Sequence, residues 1–484
     1  VTTFSYYVGD RLARLHTVDR VSGERTGRRK ARARPRGPHA RAAVSNRTAF
    51  VQQALAADPA GRSRFRELEA SEIPVLAARD AQTLVIPTET LIVEGATRDV
   101  EAWLRDKWGA TKVDEGRQGK ALFRVPGDGR DAVAEAFAAA RDVFERKDVD
   151  AAHPNFMRAI GKLSPSNAVE PRQWNLHNDR EPGLYGADVH ARAAWTITRG
   201  VAEAVVAVLD EGVDTGHPAL RDAVVAEADF VEHHRHARPS GDDAHGTACA
   251  GIVTSRADAL PGLACGAGLM AVRIAMDDGQ GNWIFDDFRT ADAIDWAWQN
   301  GACVLSNSWG GGPPVDVITR AFERARTKGR GGKGCVLVIA AGNEEGRVTF
   351  PGTLPNVLTV GASNAWDERK THRSRDGEDW WGSNYGPTLD LLAPGVKVPS
   401  TDLRGRRGYG KDGYTGRFNG TSAAAPHVAA AAALILSVAP RLAEQQVRDA
   451  ITGSCDLLPG QKRWNANQGH GRLNAYAAIR AALR

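Results

Sequence analysis

From about residue 200 onward the chain repeats one pattern: a short apolar run rich in β-branched residues, then a segment with helical periodicity. The runs are VVAVLD (205–210), LMAVRI (269–274), CVLSNS (303–308), CVLVIAAGN (335–343) and VLTVGA (357–362), with FDDFRTADAIDWAWQNG and VITRAFERARTKG among the segments between them. Strands that are apolar throughout, rather than alternating, must be covered on both faces, and intervening amphipathic helices supply the cover. The pattern predicts an α/β fold over residues 200–484, a doubly wound parallel sheet. In such sheets the reactive groups gather at the carboxyl ends of the strands.

A different order precedes it. ETLIVEG, TKVDEG, KALFRVP and VDAAHPNF read as strands, RDVEAWLRDKWG and GRDAVAEAFAAARDVF as helices. The order βαββαβ predicts a small α+β, ferredoxin-like domain over residues 84–160, which by itself implies no function. Residues 161–199 read as a linker into the large domain. Residues 1–83 form an N-terminal extension to which the sequence assigns no function, with one helical stretch, TAFVQQALAA (48–57).

The 484 residues are 42% hydrophobic, enough for two or three domains with full cores. The net charge of +5 is concentrated in residues 25–41, which hold eight Arg or Lys and no acid. That stretch has no aromatic residue and no apolar period, so a solvated insert is expected, with no nucleic-acid partner. Five cysteines, scattered and without metal-ligand spacing, read as reduced core thiols. The N-terminal residues lack the apolar core of a signal peptide. The longest apolar run, VAAAAALILSVA (428–439), is short for a bilayer. The expectation is a monomer with no membrane partner, cytoplasmic if anything.

The chemistry lies in the residues just past the strand ends. VVAVLD ends in Asp210; GDDAHGTACAGI places His245 at a helix start; CVLVIAAGN ends in Asn343; FNGTSAAAPH sets Ser422 after a Gly-Thr corner. Singly, each has an ordinary explanation as a turn or cap residue. Together they are an acid, an imidazole, an amide donor and a hydroxyl, the parts that acyl transfer requires. A hydroxyl attacks only when a base takes its proton, the base needs an acid to orient it, and the oxyanion needs donors. No GxSxG elbow occurs, and the acid precedes the histidine, which argues against a lipase or esterase of the α/β-hydrolase kind.

DEGVDTGHP, HGTACAGI, SNSWGG, AAGNE and GTSAAAP resemble, in this order, the successive signatures of subtilisin-like serine proteases, from about Gln173 to Leu473. The resemblance implies that Asp210 orients His245, that His245 is general base and then acid, that Ser422 is the nucleophile, and that Asn343 donates to the oxyanion. It implies that Ser308, Trp309 and Gly310 line a cleft that pairs with an extended polypeptide substrate, with Thr349 and Phe350 near a side-chain pocket. The βαββαβ unit resembles the family's propeptide, so the resemblance implies a zymogen cut between about Ile160 and Trp174, with its own propeptide as inhibitor. A catalytically silent module of the same fold, holding peptides, is the alternative.

Some positions depart from the family pattern. Glu211 stands next to the acid where Thr or Ser is usual, and either raises the basicity of His245 or faces solvent. Ala219 replaces a usual calcium-ligand Asp, so the strong calcium site reads as degraded and no cofactor as required. Weaker calcium binding through Asp367 or Glu368 is the remaining expectation. Cys249 lies four residues after His245, on the same helix face. The His-rich loop 229–245 lacks metal-ligand spacing. Ala423 stands where the family has Met, which implies activity resistant to peroxide.

Overall fold

The computed structural model describes residues 3–8, 11–17, 76–77, 84–127, 129–161, 173–179, 183–277, 282–405, 407–410 and 412–484. They fall into two compact units. The Arg-rich stretch, the 48–57 helical pattern and residues 162–172 lie outside the described residues.

The larger unit comprises Leu163–Met276, Thr290–Gly311 and Thr319–Arg484. Its sheet has seven strands in the order Leu391–Pro394, Leu358–Ser363, Val336–Ala340, Val304–Asn307, Val206–Asp210, Leu269–Arg273, Val224–Asp229. Every neighbouring pair is parallel, and the five strands expected from sequence are fully buried, as their unbroken apolar runs require. The two additional strands are the sheet's edges. VVAEAD carries two acids among its six residues and LLAP is four residues ending in proline, so neither carries the buried-strand signature.

Chain order reverses at Val206–Asp210: the later strands from Val304–Asn307 onward run out along one side, while Leu269–Arg273 and Val224–Asp229 lie on the other. A crevice opens at the carboxyl ends beside such a reversal. Asp210 ends one flanking strand, and Ser308 comes directly after the end of the other.

The helix Thr421–Val438 packs on this sheet. It is apolar all round, which is the pattern of a helix with no wet face. At 18 residues it is long and apolar enough to cross a membrane, longer than the apolar run counted from sequence, but 89% of it is buried inside the unit. It is a core helix. Val428, Leu434 and Ile435 belong to one cluster with Val304, Val338, Val360 and Leu391.

The smaller unit joins Val1–Lys162 to two later segments, Asp277–Arg289 and Gly312–Ile318. The expected order of strands and helices is present: Leu84–Glu94, helix Arg98–Trp108, Thr111–Glu115, Lys120–Arg124, helix Gly129–Glu145, Ala151–Gly161. Thr97 caps the first helix at Val100 N (3.3 Å) and Gly109 closes it at φ 62°. Leu91, Val93, Leu104, Phe123, Ala136 and Val143 share the core.

The boundaries at 84 and 160 do not hold, however. The sheet continues through Leu76–Ala77 to the hairpin Thr3–Val8/Arg11–Thr17 on one side, and through Asn282–Asp286 on the other. Four strands alone would leave Ala151–Gly161 as an open edge, a template for pairing whose last five residues, Met157–Gly161, are instead taken by Asn282–Asp286. A separate small ferredoxin-like domain is therefore not what the contacts delimit.

Leu434 has no exposed surface. Leu434→Ala should lower unfolding free energy by about 2–5 kcal/mol, read as a shifted denaturant midpoint at unchanged slope. A change below about 0.5 kcal/mol, the usual size of a surface substitution, would contradict its place in the core.

Candidate active site

Asp210 is the last residue of its strand and is fully buried. Its Oδ1 accepts from the Glu211 amide at 2.9 Å and faces His245 Nδ1 at 3.0 Å, with Oδ2 at 3.2 Å. His245 opens the helix His245–Thr254, which Ser400 and Thr401 pin by donating to Ala248 O (2.5 Å) and Thr247 O (2.7 Å). Gly246 is what allows the two elements to close: a Cβ there would collide with Gly212 O and lie 2.9 Å from Asp210 Cβ. The Phe418 ring stands edge-on to the imidazole, centroids 5.1 Å apart.

Glu211 resolves differently from either expectation. It is fully buried, and its Oε1 accepts the His245 backbone N–H at 2.7 Å. The residue at the cap position, Ala244, has no side-chain acceptor. Glu211 supplies one, and its charge lies at the positive end of the helix.

Ser422 sits in the first turn of Thr421–Val438, behind Gly420 at φ 115°. In an ideal helix its carbonyl would accept from residue 426, but Pro426 has no N–H. The carbonyl accepts instead from Ser308 Oγ at 3.0 Å and from Cys249 Sγ at 3.5 Å. The Ser422 hydroxyl donates to Ser308 O at 3.2 Å. Asn343 is brought to the same turn: its Oδ1 accepts from Thr421 N (2.8 Å) and Thr421 Oγ1 (3.0 Å). With the carbonyl end of the amide fixed this way, its planar geometry sets the direction of the NH₂ group.

The sequence-predicted residues thus divide. Asp210 and His245 are hydrogen-bonded to each other, as are Ser308 and Ser422, and Asn343 bonds to Thr421, the residue before Ser422. Trp309 is buried with its ring stacked on Phe322, centroids 6.1 Å apart, and Gly310 passes close to Phe350 O. Two histidines of the 229–245 loop pair with carboxylates near the surface, His236 with Glu227 at 3.2 Å and His234 with Glu232 at 3.8 Å. Ala423 is fully buried.

One layer has no counterpart among the sequence expectations. Asn419, three residues before Ser422, donates Nδ2 to both oxygens of Glu378 (3.1 and 3.0 Å), while its Oδ1 accepts from Lys397 N at 2.6 Å. Glu378 also accepts from Trp381 Nε1 at 2.8 Å, and its backbone carbonyl accepts from Lys370 Nζ. Lys370 is fully buried against Asp376 at 3.1 Å. A loop of mixed charge thereby braces the approach to Ser422.

Residues 202–471, more than half of the chain, match the model of the subtilase family. The chain belongs to this family. A calcium-dependent protease of Trichormus variabilis is 33% identical over 387 residues, covering 71% of this chain and 56% of that protein. The chain thus spans little more than half the length of that relative. A thermophilic serine proteinase of Bacillus sp. strain AK1 is 32% identical over 375 residues, covering 77% and 81%. Among solved structures, fervidolysin of Fervidobacterium pennivorans, a keratinolytic enzyme related to subtilisin, superposes with a TM-score of 0.63 at 23% identity, over 81% of this chain and 60% of that one.

Within this subtilase fold, Asp210, His245 and Cys249 are the one cluster among the described residues whose potential metal-ligand atoms all lie within 4.8 Å. None of the five cysteines is in a disulfide. Cys249 is fully buried and donates to Ser422 O, and burial pushes its thiol well above the ordinary range, aided by the charge of Asp210. A neutral, enclosed thiol is a poor nucleophile. Iodoacetamide at pH 8 should therefore leave Cys249 unlabelled in the folded protein and label it once unfolded, by mass spectrometry; rapid native labelling would contradict this environment.

Proposed function

We propose that the chain is a serine endopeptidase that hydrolyses peptide bonds through an acyl-enzyme and is made as a self-processing zymogen. Asp210 holds His245 in the tautomer that leaves the far ring nitrogen ready to take a proton, and stabilises the imidazolium that results. His245 takes the Ser422 proton as the hydroxyl turns from Ser308 O toward the substrate carbonyl. The oxygen that gains charge is met by the Asn343 amide and the backbone N–H of Ser422 at a helix start. His245 then returns the proton to the leaving amine, and water repeats the cycle on the acyl-enzyme. The observation that carries this reading is the Asn343–Thr421 pair of hydrogen bonds, which ties an amide donor to the turn that presents Ser422. Ser308, Trp309 and Gly310 present backbone to an extended substrate, so exposed loops and unfolded chains are the substrate class.

Residues 84–160 of the smaller unit act in this reading as the inhibitory propeptide, with cleavage between about Ile160 and Trp174, while its later segments Asp277–Arg289 and Gly312–Ile318 stay with the enzyme. Ser422→Ala should remain full-length and folded, without activity, and escape labelling by a fluorophosphonate that tags the wild type. Unlabelled wild type would instead establish a silent peptide-binding module. Asn343→Ala should lower turnover by roughly 10²–10³, the scale known for such a donor in subtilisin; a loss below tenfold would remove Asn343 from this role.

Calcium figures in the name of the Trichormus relative. Here position 219 offers a buried methyl, and its carbonyl accepts from Arg256 N at 2.8 Å. Asp367 is paired with Arg472 at 2.5 Å, and Glu368 with Arg375 at 2.8 Å. Oxygens already committed to cations fit calcium poorly. We propose that neither position holds calcium. Calorimetric titration of the folded protein checks this: a binding heat abolished by Asp367→Asn or Glu368→Gln would overturn it.

A further inference from the structure

Strand Ala151–Gly161 pairs antiparallel with Asn282–Asp286, in the register Met157–Asp286, Arg158–Phe285, Ala159–Ile284, Ile160–Trp283, Gly161–Asn282. On the proposed reading as a self-processing zymogen, residues just before Lys162 are the first substrate segment the enzyme handles. Asn282–Asp286 is then the strand that grips it. Main-chain pairing is blind to sequence, so any selectivity must come from side chains on the shared face.

One side chain stands out. Arg158 lies opposite Phe285, and Asp287, which opens the helix Asp287–Gln299 directly after the strand, meets its guanidinium. Its Nε and Nη2 donate to Asp287 Oδ1 and Oδ2 at 2.5 and 3.1 Å, and its Nη1 donates to Pro313 O at 3.0 Å. Both side chains are essentially without exposed surface, Arg158 at 1% and Asp287 at 0%. Three donors of a planar guanidinium meet three fixed oxygens, a match that the single point charge of lysine does not reproduce.

We propose that Asp287, with the carbonyl of Pro313, is a specificity-determining subsite that selects arginine at one fixed position upstream of the scissile bond. Arg158 is its intramolecular occupant. The substrate class becomes extended polypeptides with arginine at that position. A substrate without arginine there leaves the Asp287 carboxylate either unpaired under the bound strand or hydrated at the expense of fit, and both reduce transition-state binding.

The test is cleavage of a randomised peptide library by the processed wild-type enzyme. Arginine should be enriched at a single upstream position, preferred over lysine and over leucine by roughly 10–100-fold in kcat/KM. In Asp287→Asn the arginine-to-leucine ratio should collapse toward one, and in Asp287→Arg glutamate should be favoured at that position. Active-site titration with the fluorophosphonate counts correctly assembled enzyme, so misfolding appears as fewer active sites and not as an altered ratio. If the variants fail to mature, wild-type enzyme can process them in trans. Active wild type without upstream arginine enrichment overturns this proposal alone. An enriched position that survives both substitutions overturns the role of Asp287. Wild type that neither cuts nor labels overturns the proteolytic reading beneath it.

Discussion

The arrangement around Ser422 depends on a hydrogen bond that cannot form. Pro426 removes the donor that Ser422's carbonyl would otherwise meet one turn on, and a buried carbonyl must find another. It finds Ser308 Oγ and Cys249 Sγ, which belong to different parts of the fold. The start of the helix is thereby tied to the end of strand Val304–Asn307 and to the helix that carries His245. A proline in a helix interior usually costs about 3 kcal/mol; here the freed acceptor becomes a point where three elements meet. The Ser422 hydroxyl completes the tie by donating to Ser308 O.

The buried charges around the site work in the same way, as positioners of backbone and side chains. Glu211 holds the first amide of the His245 helix. Glu378 holds Asn419 with both carboxylate oxygens. Lys370 and Asp376 neutralise each other within the loop that delivers Glu378. Such pairs add little net stability against an apolar equivalent, but losing one member strands a buried charge. Their contribution is therefore to geometry, by penalising every other arrangement of the loop before Ser422.

The parallel sheet was legible because a strand buried on both faces writes that burial into unbroken apolar residues. The candidates Asp210 and Asn343 were legible at strand ends, and His245 and Ser422 at helix starts, because glycine stands close beside each of them, at 212, 342, 246 and 420. The bracing residues were not. Glu378 stands in an irregular loop with no period, and its partner lies 41 positions away. Glu211 was visible as a departure, but which amide lacked a cap depended on Ala244, across the fold. The helical reading of FDDFRTADAIDWAWQNG starts at Phe285, whereas Phe285 and Asp286 still belong to the strand Asn282–Asp286. Its apolar residues fit either structure, and what decides is a partner strand, Ala151–Gly161, far earlier in the chain.

That partner strand has to satisfy two opposing demands on its strength. If Ala151–Gly161 occupies the enzyme's substrate strand in the zymogen, it must hold while joined to the chain and leave once cut. A tethered segment meets its site at an effective concentration in the millimolar range for a short flexible link, so modest intrinsic affinity suffices for occupancy. A deep apolar anchor would add affinity that persists after cleavage. A buried Arg–Asp pair behaves differently, because desolvation of both charges offsets much of their attraction. It discriminates strongly against a wrong residue while adding little to the affinity of the right one. Together with the sequence-blind main-chain pairing around it, the Arg158–Asp287 contact suits a segment that has to be recognised accurately and then released.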